Sequence, residues 1–171
     1  MDSLSKEART RQLETWVAQY GESVLRLCFA LLGDRALAED ASQETFLKAW
    51  RSMTRFERRR GCSDKTWVLR IAVNVCRDFS RMPWRRHVDL SRALEDLPPA
   101  TLGITHEERL LFLDVLRLPE KYKQVVLLCD VQQLTLEEAA KALSIPRSTA
   151  HHRLQRAHAL LREALERSDC E

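Results

Sequence analysis

Apolar residues recur along this chain at the spacing of an amphipathic helix. Trp16, Val17, Tyr20, Val24, Leu27, Cys28 and Leu31 trace the first such stripe. Gly33-Asp34 interrupts it, and Asp34 suits the N-cap of a second helix over about 35–53. The polar loop FERRRGCSD (56–64) follows, then a third helix over about 65–81 that Pro83 ends. Residues 83–106 hold Pro98, Pro99 and Gly103 and sustain no periodicity, so they read as a linker with room for a short helix near 90–97. Helical patterning returns at about Glu107 and runs to the C-terminus. The expected fold is all-α. It has two small helical domains, 10–82 and 107–168, joined by a flexible linker, 83–106, and the C-terminal domain is a helix-turn-helix. Each domain is marginal in size for folding alone, so contact with a partner or with each other is expected to stabilise them.

Composition agrees. The 171 residues are 44% hydrophobic and 31% charged, too apolar for disorder and too charged for a membrane protein. Only 4 Gly and 5 Pro are present, fewer than the turns of a β-rich fold require. No apolar run approaches the roughly 20 residues of a membrane span, and MDSLSKEART lacks the apolar stretch of a signal peptide. A cytoplasmic location without membrane insertion is expected. Cysteines at 28, 62, 76, 129 and 170 are odd in number and form no CxxC, against a disulfide framework or a zinc site. No Gly-rich phosphate loop, nucleophile-base pair or metal-ligand cluster stands out, so neither an enzyme nor a cofactor is expected.

Charge is unevenly spread. Residues 51–92 hold 12 basic side chains against 4 acidic ones, although the whole chain carries only +3. The acidic side chains of the C-terminal segment all lie at or after Glu163, leaving a second basic zone from Arg147. Two basic zones in a small helical protein point to a polyanion partner.

The second zone has a definite form. Thr135-Leu136-Glu137-Glu138 fits a capping box that opens the short, Ala-rich helix EEAAKAL. Ser144-Ile145-Pro146 makes a turn, and Ala150, Leu154, Ala157 and Leu161 form a core-facing seam on the next helix. Ser148, Thr149, His152, Gln155 and Arg156 occupy the opposite face, flanked by Arg147, His151 and Arg153. Hydroxyl, imidazole, amide and guanidinium groups on one helix suit a DNA major groove. The plain alternative is a helical hairpin with a solvated face.

In the helix 65–81, Arg70, Asn74, Arg77 and Arg81 make a narrow polar stripe opposite a broad apolar side. At 1.5 Å per residue that stripe could track a phosphate backbone for about 15 Å. Phe56, Arg58, Arg59, Arg60 and Lys65 precede it, and an Arg-rich loop beside an aromatic could hold unstacked bases. A solvated basic face with Phe56 in the core fits equally well. Trp67 lies on the apolar side, which favours core over base stacking. On the helix 35–53, Asp40, Gln43, Glu44, Leu47, Trp50 and Arg51 share a mixed acidic and aromatic face that fits a protein interface, unless Phe46 and Trp50 are core.

Three segments in order carry a family likeness: LLGDRALAEDASQETFLKAW (31–50), TWVLRIAVNVCRDFSR (66–81) and LPEKYKQVVLLCDVQQLTLEEAAKALSIPRSTAHHRLQRAHALLREAL (118–165). Together they resemble bacterial RNA polymerase sigma factors of the extracytoplasmic-function (ECF) type. The resemblance implies a protein that binds core RNA polymerase through both large subunits and directs it to promoter DNA. Asp40, Gln43, Glu44, Phe46, Leu47 and Trp50 would dock on the clamp helices of the largest subunit, and 118–131 belong to the part that sits on the flap of the other. The loop 56–65 would hold a flipped base of the −10 element, with Asn74, Arg77 and Arg81 along the DNA. Residues 135–157 would read the −35 element. The family commonly uses an anti-sigma factor, which is the further partner the resemblance allows.

Two positions depart from the family pattern. Arg147-Ser148-Thr149-Ala150-His151-His152 stands where a Gly-Thr pair and a following basic residue are usual, and Gln132-Gln133 replaces a frequent Glu-Gly. The alternative function is a helix-turn-helix regulator that binds duplex DNA without sigma activity. Specific duplex binding by the isolated protein would favour it.

Overall fold

A computed structural model describes residues 5–56, 62–83 and 105–168. Among the described residues there are seven α-helices and no strand. Each boundary has a local cause. Helix α1 (Lys6–Leu32) stops at Gly33, which adopts the left-handed conformation (φ 65°) and donates its N–H to the Phe29 carbonyl at 2.7 Å. Helix α2 (Arg35–Phe56) starts where the Asp34 carboxylate accepts the Leu37 N–H at 2.9 Å. Asp34→Ala should therefore cost about 1 kcal/mol in a urea melt, with Asp34→Asn nearly neutral. Helix α3 (Asp64–Ser80) is capped by Ser63, whose hydroxyl accepts the Thr66 N–H at 3.1 Å.

These three helices pack together as a first lobe around Trp16, Val24, Leu27, Met53 and Val68, all 0–1% exposed. The Trp16 and Trp67 rings meet at 5.3 Å, tilted by 57°, and Trp16 Nε1 donates to Asp64 Oδ2 at 2.9 Å. Trp67 is thus a core residue, as its place on the apolar side indicates.

The second lobe comprises α4 (His106–Arg117), α5 (Glu120–Val126), a π-helical turn (Leu127–Val131), α6 (Leu136–Leu143) and α7 (Arg147–Ser168). The capping box opening α6 is present in full: Thr135 Oγ1 accepts the Glu138 N–H, and Glu138 Oε2 accepts the Thr135 N–H. Ala139, Ala150 and Ala157 are all 0% exposed, so α6 and α7 approach without bulk between them. The expected seam on α7 forms, with Ala150, Ala157 and Leu161 buried and Leu154 partly so.

Gln133 and Ser144 hold left-handed conformations (φ 57° and 56°) at the two ends of the α6 segment. Position 133 is where the resemblance leads one to expect Gly, and the backbone supplies the reason: a Cβ is strained there. Gln133→Gly should stabilise the fold by about 1 kcal/mol or slightly more in a urea melt.

The two lobes touch. Helix α3 packs against α6, and α1 against α5. Thr66, Leu69 and Val73 lie on one stripe of α3 and are 0–1% exposed. The segment expected to be a linker falls mostly on 84–104, outside the described residues, as does the short helix expected near 90–97. No helix among the described residues is long and apolar enough to cross a membrane.

Candidate nucleic-acid interface

The polar stripe of α3 is displayed as the spacing suggests, but unevenly. Asn74 and Arg81 are exposed, whereas Arg70 and Arg77 are half-buried. Lys65 is half-buried too, and its ammonium donates to the Gln132 carbonyl of the second lobe at 2.6 Å. Arg58, Arg59 and Arg60 lie outside the described residues, and of Phe56 only the backbone is described, as the last residue of α2.

Beside Asn74 the fold forms a groove that the sequence reading missed. Lys48, Arg51 and Ser52 of α2 and Ile71 and Asn74 of α3 line an open volume of about 480 Å³. Lys48 pairs with Asp78 at 3.4 Å, and Ser52 donates its hydroxyl to the Lys48 carbonyl at 2.6 Å. The groove offers an ammonium, a guanidinium and an amide around an apolar floor, the mixture that a phosphate and a base together require. The signal was present in the i, i+3, i+4 spacing of Lys48, Arg51 and Ser52. Pairing it with α3 needed the tertiary fold.

On α7, Arg147, Ser148, His151, His152, Gln155 and Arg156 are exposed, and Thr149 and Arg153 are half-buried. Most of the expected reading face is thus displayed away from the Ala150–Ala157 seam. His151 and His152 are adjacent, so their rings point about 100° apart and do not converge on one metal. Among the described residues no group of three or more His, Cys, Asp or Glu is placed to hold a metal ion. Hydrogen bonds from Thr135 hold the Glu138 carboxyl below its ordinary value. Its contribution to the α6 cap is therefore complete above the ordinary glutamate pKa and is lost as pH falls through the lowered folded-state value.

The α2 face divides. Asp40 and Gln43 are exposed, Leu47 is 47% exposed, and Glu44 is half-buried. Phe46 is only 8% exposed and packs in the core, so it supports this face from beneath. Trp50 is half-buried under Arg9, whose guanidinium lies 4.5 Å from the ring centroid and donates to the Trp50 carbonyl at 2.7 Å.

Cys28 and Cys76 are buried, and Cys62 and Cys129 are half-buried. Burial, reinforced by Asp130, pushes the Cys129 thiol up to about 11, so it stays protonated at neutral pH. Cys170 lies outside the described residues.

Residues 16–86 match the family model Sigma-70 region 2, and residues 115–161 match Sigma-70, region 4. The chain is 32% identical over 157 residues to the RNA polymerase sigma factor CarQ of Myxococcus xanthus, covering 89% of this chain and 88% of that one. It is 30% identical to the RNA polymerase sigma-E factor of Streptomyces avermitilis, covering 92% and 87%. It is 29% identical to the ECF RNA polymerase sigma factor SigW of Bacillus subtilis, covering 85% and 84%. Among solved structures, the fold resembles the sigma factor RpoE of Bartonella quintana, crystallised with the anti-sigma factor NepR. That likeness has a TM-score of 0.72 at 21% identity and covers 91% of this chain and 98% of that one.

Proposed function

The chain belongs to the bacterial RNA polymerase sigma factors of the ECF type, and from that premise we propose how its surfaces divide the work of directing polymerase to promoters. Residues 10–82 act as region 2 and residues 107–168 as region 4, with 83–106 as the connection between them. The exposed part of α2, Asp40, Gln43, Glu44 and Leu47, docks on the clamp helices of the largest polymerase subunit, with Phe46 and Trp50 shaping it from below. Asn74, Arg77 and Arg81 follow the −10 DNA, joined by Lys65, Arg70 and the loop residues Phe56, Arg58, Arg59 and Arg60. The groove beside Asn74 receives part of the unpaired strand. Arg147, Ser148, Thr149, His151, His152, Arg153, Gln155 and Arg156 read the −35 element.

Opening a duplex costs a few kcal/mol per unstacked step. Two small basic faces cannot meet that cost alone, but polymerase supplies the remaining binding energy and fixes their spacing. The polymerase carries the chemistry and this chain supplies specificity, which places it in the bacterial cytoplasm. An anti-sigma factor is a fitting regulator, since the related RpoE was crystallised with one. The observation that carries this reading is the basic, hydrogen-bonding face of α7 held opposite its alanine seam.

In vitro transcription with core polymerase, followed by sequencing of transcript starts, tests it. The chain is expected to give promoter-specific starts with core and only weak DNA binding alone. Specific duplex binding without any stimulation of core polymerase would instead favour a regulator of duplex DNA. Arg156→Ala should weaken −35 recognition by about 1–3 kcal/mol if it contacts a base, read as loss of discrimination at one promoter position.

A further inference from the structure

We propose that Arg9, in the first turns of α1, is a positioning residue for polymerase docking: it fixes the Trp50 ring at the end of the α2 docking face. The inference rests on the docking role given to that face above.

Trp50 lies on the same side of α2 as Gln43 and Leu47, so its half-buried ring ends the stripe that begins at Asp40. An indole at a helix surface has more than one staggered rotamer open to it. Arg9 removes that freedom through two contacts. Its guanidinium carbon lies 4.5 Å from the ring centroid, and its Nη2 donates to the Trp50 carbonyl at 2.7 Å. The hydrogen bond ties the cation to the backbone that carries the ring, and the cation then covers one face of the indole. The turn beneath Arg9 is itself held. Ser5 accepts the Ala8 N–H on its hydroxyl at 3.2 Å and the Arg9 N–H on its carbonyl at 3.1 Å.

This arrangement serves position more than stability. Arg9 Nε is buried and has no hydrogen-bond partner among the described residues. An unsatisfied buried donor costs as much as a single hydrogen bond contributes, so Nε offsets what Nη2 gains. Docking benefits instead. An aromatic anchor already held in its bound rotamer has little side-chain freedom left to lose on association, and such anchors carry a large share of interface energy.

Arg9→Met keeps an unbranched chain against the ring and removes the cation and its donors. In titrations of core polymerase with the labelled full chain, it should weaken binding about three- to tenfold. Its melting temperature should stay close to that of the unsubstituted protein. Arg9→Lys keeps the charge without the flat fork and should recover part of the loss. With fluorotryptophan incorporated, the Trp50 fluorine line, assigned by its absence in Trp50→Leu, should shift or broaden in Arg9→Met, while those of Trp16 and Trp67 stay in place. Made in Trp50→Leu, Arg9→Met should cost little further affinity.

Core affinity unchanged by Arg9→Met would overturn the proposal. So would an equal loss with and without the Trp50 ring, because Arg9 would then touch the polymerase itself. An early melt of Arg9→Met would make Arg9 a folding residue and overturn it as well. Core binding that withstands Trp50→Leu would strike the docking reading of α2, and this proposal with it. Binding that falls with Trp50→Leu but withstands Arg9→Met would strike only the role of Arg9.

Discussion

Trp16→Ala is expected to unfold the first lobe. The indole is 1% exposed, packs on Trp67 and donates to Asp64 in the first turn of α3. Removing a buried ring of this size costs about 3–5 kcal/mol, and a lobe of this size has little stability beyond that. Thermal melts followed by circular dichroism should show the first lobe unfolded at room temperature or its transition strongly lowered. Trp16→Phe separates the causes, because it keeps most of the packing and loses the N–H donor. It should cost less than the alanine variant, and equal losses would mean that the hydrogen bond to Asp64 contributes more than the ring.

Ala150→Glu should be comparably damaging in the second lobe. Ala150 is 0% exposed at the crossing of α6 and α7. A carboxylate there has no partner, and an unpaired buried charge costs roughly 3–5 kcal/mol. The reading helix would lose its seat, so binding to −35 duplex should vanish and the second lobe should melt early. Ala150→Ser, nearly the same in volume, should retain both. Promoter binding by the glutamate variant at the unsubstituted level would mean that α7 reads DNA without its seam.

Much of this architecture was legible in the residues. Asp34, Ser63 and Thr135 mark helix starts because a short side-chain acceptor satisfies a free amide, a local matter that needs no tertiary context. The 3.6-residue rhythm placed Ala150, Ala157 and Leu161 in the core for a similar reason. Phe46 and Trp50 were harder, because an aromatic among acids on a helix fits core and interface alike. Position 50 was settled only by Arg9, 41 residues earlier. The groove of Lys48, Arg51 and Asn74 depends on α2 lying beside α3, and the packing of α3 on α6 depends on the lobes meeting. Leu69 and Val73, both 0% exposed, are the residues of α3 that announce a further neighbour. Long-range pairings of this kind leave little periodic trace.

The Arg9 clamp bears on how chimeric sigma factors should be cut. The match to Sigma-70 region 2 begins at residue 16, a full turn and more past the guanidinium that roofs Trp50. A graft begun at the edge of the shared segment would leave that roof behind and open the indole to water. Carrying the whole of α1 from Ser5 onward would keep the transplanted face in the shape it has here.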